Sequence, residues 1–125
     1  MRLNGNKYHN QKIERDGIIF ASFREARRYT ELKLLERAGE IYDLKLQEKF
    51  ILIPAQREPD TVGKRGGKIK GKLLEREVSY LADFTYKKTG TNELVVEDTK
   101  GMKTKDYIIK RKLMLYVHGI RIREV

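Results

Sequence analysis

Apolar positions along the chain follow two rhythms, one of period two and one near 3.6 residues, and their order predicts a small α/β domain. Ile13, Ile18 and Phe20 flank Asp16-Gly17, a dipeptide suited to a two-residue hairpin turn. Ser22-Phe23-Arg24-Glu25 has the Ser-x-x-Glu form of a capping box. The helix it opens should run to about Ala38 and stop at Gly39, with Tyr29, Leu32 and Leu35 as its apolar stripe. Residues 44–53 alternate toward Phe50 and Leu52 and read as a strand. The clearest strand is 74–86. Val78, Tyr80, Ala82, Phe84 and Tyr86 share one parity there, and Glu75, Glu77, Ser79 and Asp83 share the other. A turn over 88–92 leads into a strand over 94–98, so these two strands should form an antiparallel hairpin. Thr104 can cap a second helix over 105–118, with Ile109, Leu113, Tyr116 and Val117 inward and Gly119 ending it. Residues 120–125 return as a last strand.

A length of 125 residues suits a single domain with one core, spanning 1–125. Residues 1–12 read as a flexible basic arm. Residues 56–72 read as a basic loop or a poorly ordered hairpin tip: they hold four of the ten glycines and six basic residues, against Glu58 and Asp60. No apolar run approaches the roughly eighteen residues of a membrane span. The basic N-terminus has no apolar segment behind it, as a secretory signal would. With no cysteine, disulfides and thiolate metal sites are excluded, which fits a cytoplasmic location. The 28 Lys plus Arg against 18 Asp plus Glu leave a net charge of +10. Such an excess favours a polyanionic partner, because each neutralised phosphate releases a condensed counterion.

Three acids sit where a purely structural reading has difficulty. Glu25 lies in line with Tyr29 and Leu32 on the stripe the first helix should bury, although it also serves as the capping-box acid of Ser22. Asp83 lies inside the strongest strand, where aspartate is disfavoured. Asp98 ends an apolar strand, and the period of two places Lys100 on its face, with Glu97 and Thr99 opposite. An aspartate and a lysine so placed suit cleavage of a phosphodiester by water. The carboxylate holds a hard divalent cation that acidifies water, and the ammonium orients the nucleophile or steadies the transition state.

The order of a helix with Glu25, a strand with Asp83, a strand with Asp98-Thr99-Lys100 and then a helix resembles the PD-(D/E)XK nuclease superfamily. Asp16-Gly17-Ile18-x-Phe20-x-Ser22-x-x-Glu25-Ala26-Arg27-Arg28-Tyr29, Gln47, Ala82-Asp83-Phe84-x-Tyr86, Val96-Glu97-Asp98-Thr99-Lys100-Gly101 and Lys110-Arg111-Lys112-Leu113 look like a family of short phage proteins within it. Archaeal Holliday junction resolvases are similar in core and size. The resemblance implies a restriction-endonuclease-like α/β core: helix, three-stranded meander, helix and strand, after an N-terminal hairpin. It implies that Asp83 and Asp98 bind one or two Mg²⁺ ions, for which Mn²⁺ can substitute. Glu25 would complete the metal shell directly or through water, and Lys100 would serve the nucleophile. Ala82 stands where the superfamily often has proline. Glu97 beside Asp98 leaves open which acid ligates, and the parity of Lys100 selects Asp98.

Further candidates follow the charge. Lys64, Arg65, Lys68, Lys70 and Lys72 in the basic loop, and Lys110, Arg111 and Lys112 on the second helix, are candidate nucleic-acid contacts, with Lys110 and Arg111 most plainly on the polar face. Ser22 and Gln47 are possible accessory residues. The leading expectation is a Mg²⁺-dependent endonuclease resolving branched DNA such as Holliday junctions. Cutting two opposed strands calls for a symmetric homodimer, and neither a membrane nor a small-molecule cofactor enters. The alternatives are a restriction-like, nicking or end-processing nuclease on duplex DNA or RNA, and a noncatalytic nucleic-acid-binding module.

Overall fold

A computed structural model describes residues 12–125, so all but Lys12 of the expected arm lies outside the described residues. The chain divides into two compact units. One comprises the chain up to Glu48 with Ala82–Lys103 and Ile122–Val125; the other comprises Lys49–Leu81 and Thr104–Arg121.

The first unit opens with a hairpin, β1 (Ile13–Arg15) and β2 (Ile18–Phe20). Asp16 and Gly17 turn it with φ of 52° and 78°, the positive values a type I′ turn demands. Helix α1 (Phe23–Arg37) begins where the Ser22 hydroxyl accepts from the Glu25 amide at 3.2 Å, the first half of the capping box. Its buried face is Ala26, Tyr29 and Leu32, and Leu35 is only partly covered. These side chains share one core with Ile13, Phe20, Ile41, Phe84, Tyr86 and Val95. Residues of one helix stripe and one strand parity thus bury each other, which is why both patterns are legible.

A four-stranded sheet has the order β10-β9-β8-β3. Strand β3 (Ile41–Ile53) begins three residues before the expected start, and β8 (Val78–Lys88) like it belongs to both units. Strand β8 runs antiparallel to β9 (Leu94–Asp98), with Phe84 opposite Glu97 and Tyr86 opposite Val95. Strand β10 (Arg123–Glu124) is parallel to β9 and shorter than the expected 120–125. The sheet is therefore mixed and the fold α/β. Residues 74–86 do not form one strand, because the chain breaks at Arg76-Glu77 between β7 (Leu73–Glu75) and β8.

In the second unit, residues 56–72 take the hairpin alternative rather than the loop, and the hairpin is bonded along its length. Strands β4 (Gln56–Arg57) and β7 pair antiparallel, and beyond them β5 (Thr61–Val62) pairs with β6 (Lys68–Ile69). The result is a two-tiered ribbon bonded to itself. Helix α2 (Lys105–His118) is capped by Thr104 and ends at Gly119, as expected. Its orientation is not as expected. Tyr107 and Met114 are buried, Leu113 is half-buried, and Ile109, Tyr116 and Val117 are exposed, Tyr116 by 88%. Apolar residues surround this helix, so periodicity offers two seams, and the one through residues seven apart is the one covered. His118 lies in the last turn of α2, with Nε2 2.7 Å from the Ile51 carbonyl. No helix among the described residues is long and apolar enough to cross a membrane.

Candidate active site

The site lies in the first unit, where β8 and β9 run side by side. Continuing their register one step past Phe84 and Glu97 sets Asp83 across from Asp98, and cross-strand partners share a face. Asp98 is 2% exposed and is the last residue of β9; its carbonyl accepts from the Val125 amide at 3.0 Å. Lys100 holds its ammonium 3.4 Å from Asp98 Oδ1.

Thr99, expected to face away, departs from the pleat because the strand has ended. Its amide and its hydroxyl both donate to Asp83 Oδ2 at 2.8 Å. The other oxygen, Oδ1, accepts from Gln47 Nε2 at 3.3 Å. Gln47 reaches it from an irregularity in β3: its φ is 54°, and Asp43 four residues earlier has 59°. A non-glycine residue in that region disfavours regular pairing and re-aims its side chain. Ser22 is occupied in capping α1.

Glu25 approaches from the first turn of α1. Burial raises its carboxyl pKa above the ordinary 4.5, and repulsion from Asp83 and then Asp98 raises it further, while Lys100 opposes the shift. Mutual influence of this kind weakens with distance, so Glu25 lies within electrostatic reach of Asp83, Asp98 and Lys100.

Two arginines one turn apart tie α1 to β9. Arg24 Nη1 donates to the Lys100 carbonyl at 2.8 Å. Arg28 holds Glu97 through two bonds, Nε to Oε1 at 2.8 Å and Nη2 to Oε2 at 2.6 Å, while its Nη1 donates to Glu31 Oε1 at 3.0 Å. Glu97 is fully buried, also accepts from the Tyr86 hydroxyl, and has Arg123 at 3.9 Å. Burial and the bond to Glu97 push the Tyr86 hydroxyl up to about 12. Glu97 is therefore committed to Arg28 and the core side of the sheet, while its neighbour Asp98 faces Asp83. Arg24, Arg27 and Arg28 also line one surface hollow with Glu31, Thr99 and Val125, and Glu31 pairs with Arg28 at 3.0 Å, which leaves Arg24 and Arg27 as the cations of its rim.

The donor set suits a hard cation, since carboxylate oxygens are the ligands Mg²⁺ prefers. Among the described residues no group of three or more acidic or histidine side chains is gathered closely enough to hold a metal. Asp83 is instead engaged by Thr99 and Gln47, and Asp98 by Lys100. Mg²⁺ ordinarily keeps several waters and takes only one or two carboxylates along with substrate phosphate.

The remaining basic candidates belong to the second unit. Lys64, Arg65, Lys68, Lys70 and Lys72 are exposed on the ribbon. Of the three on α2, only Lys112 is exposed. Lys110 and Arg111 are half-buried, and the Arg111 guanidinium lies 6.0 Å from the Tyr107 ring centre, contrary to the expectation of a polar face. Thr99, Arg24 and Arg28 were missed as site residues. Strand parity assigned Thr99 to the wrong face, and no local pattern announces a partner 69 or 76 residues away.

No curated protein and no solved structure matches the chain. A family model described as "Protein of unknown function (DUF1064)" matches residues 5–123, and the chain belongs to that family.

Proposed function

We propose that this protein is a divalent-metal-dependent endonuclease acting on DNA, with branched molecules such as Holliday junctions as its substrates. The observation that carries this reading is Asp83 set across from Asp98 on the β8–β9 pair, with the Lys100 ammonium 3.4 Å from Asp98 Oδ1 and Glu25 on α1 within electrostatic reach of all three. The mixed sheet flanked by α1 and followed by α2 is compatible with the restriction-endonuclease-like core that the sequence resembles.

Asp83 and Asp98 are the residues to hold a magnesium ion, with Glu25 reaching it directly or through water. When bound, the ion would lower the pKa of water and offset charge on the phosphate. Thr99 and Gln47 keep the Asp83 carboxylate in one orientation. The Lys100 ammonium, restrained by Asp98 and by the Arg24 bond to its own carbonyl, donates to the attacking water or to the oxygens of the phosphate. Arg24 and Arg27 offer guanidinium groups to a neighbouring phosphate. Hydrolysis of a junction on two opposed strands would use two copies of the chain.

The test is digestion of a four-way junction and of a linear duplex of matching arms, with Mg²⁺, Mn²⁺ or chelator. Junction cleavage that needs the metal supports the reading. Equal cutting of both substrates would make it a general duplex nuclease. Binding without cleavage under either metal would make it a noncatalytic nucleic-acid-binding module.

A further inference from the structure

The ribbon over 56–75 is the largest feature that the candidate active site does not use. Every residue from 53 to 77 is exposed except Gly63 and Gly71, and among the described residues each of its two strand pairs is a two-stranded sheet of its own. A flexible basic segment would need no such construction. Here the neck is fastened at several points. The Glu58 amide donates to the Lys72 carbonyl at 2.8 Å, Arg57 Nη1 donates to the Gly71 carbonyl at 3.0 Å, and Asp60 Oδ1 accepts from the Gly71 amide at 2.8 Å. The strands approach so closely that a Cβ on Gly71 would meet the Glu58 carbonyl oxygen at 1.7 Å. Only glycine fits there.

The far end is equally defined. Gly63 donates to the Gly67 carbonyl at 2.7 Å and accepts from the Gly66 amide at 3.0 Å, and Gly66 has φ of 85°. This is a three-residue hairpin loop, a turn followed by a left-handed glycine. It sets Lys64 and Arg65 on the outer corner, both exposed. Lower down, Asp60 is paired with Lys68 at 3.1 Å, and its own carboxyl is held below the ordinary 3.8 chiefly by the Gly71 amide and then by Lys68. That acid braces the neck and leaves the corner purely cationic. Val62 and Ile69 are 74% and 53% exposed on opposite faces, so apolar surface accompanies the charge.

We propose that this ribbon is an arm that enters a groove of duplex DNA, with Lys64 and Arg65 at its tip neutralising backbone phosphates. The partner follows from the function proposed above, but the arm's dimensions support it independently. Two strands lie about 4.8 Å apart, and a two-stranded ribbon fits a major groove about 12 Å wide and 8.5 Å deep. The nine residues from Gln56 to Lys64 make eight steps of about 3.3 Å, a span of up to roughly 26 Å, ample for that depth. Fastening the arm before it binds removes much of the ordering cost that a loose loop would incur. The exposed valine and isoleucine suit sugar and thymine-methyl surfaces along the groove walls.

The experiment is fluorescence anisotropy of the full chain on a labelled linear duplex, in chelator, across a series of salt concentrations. Three proteins are compared: wild type, Lys64→Ala/Arg65→Ala, and the equal-charge control Arg15→Ala/Arg37→Ala on the first unit. Thermal melting by circular dichroism checks that all three fold. Each phosphate contact adds about 0.9 to the slope of log affinity against log salt, so the tip variant should lose about 1.8 and the control much less. Over a fivefold salt range that corresponds to roughly 18-fold less sensitivity. An unchanged slope and affinity, or an equal loss in the control, overturns the proposal. So does a tip variant that keeps DNA binding but no longer sediments with anionic phospholipid vesicles. Because no cleavage is scored, a protein that binds through its ribbon but never cuts would sink only the nuclease reading. One that cuts normally with an unchanged salt slope would sink only the arm.

Discussion

Replacing Arg28 with methionine removes both bonds to Glu97 while keeping most of the buried stem. In the folded protein Glu97 has no exposed surface, so its carboxylate would be left with the Tyr86 hydroxyl and Arg123 at 3.9 Å. Breaking a buried ion pair on one side costs about 3–5 kcal/mol, because the survivor keeps its desolvation without its partner. Arg123 offsets a part of this, and the 17% exposure of the Arg28 side chain admits some water, so we expect the lower end, about 3 kcal/mol. At about 2.1 cal/mol/K per residue, the unfolding entropy of a 125-residue chain is near 0.26 kcal/mol/K. The melting temperature should then fall by roughly 11 °C. Urea unfolding at neutral pH measures the loss, with the m-value expected to be unchanged. Adding Glu97→Gln removes the stranded charge while leaving an acceptor for Tyr86, and the double variant should recover more than half of the loss. A single variant within about 1 kcal/mol of wild type, or a double variant less stable than the single, would refute this account of the pair.

Two further predictions concern the carboxylates. Glu25 has a raised pKa in the folded state, so its contribution to stability is full below the ordinary value of 4.5 and is lost as pH rises through the raised value. In chelator, Glu25→Gln should therefore melt above wild type at pH 7, and the gain should disappear near pH 4; a lower melting temperature at pH 7 would contradict the crowding of acids inferred here. Thr99→Val removes the hydroxyl bond to Asp83 but keeps the amide bond. It should cost about 1–2 kcal/mol, within the scale of hydrogen bonds to charged groups, whereas Thr99→Ser should lie within about 0.5 kcal/mol of wild type. Urea unfolding of both variants decides it, and equal losses would mean that the hydroxyl does not hold the carboxylate.

The elements most legible in the sequence were those whose signals are local. The Asp16-Gly17 turn, the Ser22 cap and the buried parity of Tyr80, Ala82, Phe84 and Tyr86 each depend on neighbours within a few residues, and each appears in the fold. Strand parity also separated Asp98 from Glu97 correctly by face, and the structure sends Glu97 to Arg28. Parity failed one residue past the strand, where Thr99 turns back to Asp83. Over 56–72 the sequence left loop and hairpin undecided, because strands of two or three residues are too short to establish alternation among glycines and lysines. On α2, apolar residues on every side left its orientation to tertiary contacts, so Tyr107 and Met114 were covered instead of Ile109 and Tyr116.

In the function we propose, Asp83, Asp98, Glu25 and Lys100 act as one hydrolytic centre on DNA. Gel analysis of a labelled four-way junction with magnesium tests it most directly, using wild type, Asp98→Ala and Lys100→Ala, with binding of each followed in parallel. The account predicts paired nicks by wild type that vanish in chelator, and two variants that still bind the junction but do not cut it. Cleavage that persists in both variants, or a wild-type protein that binds the junction and never cuts it with any divalent ion, would contradict it.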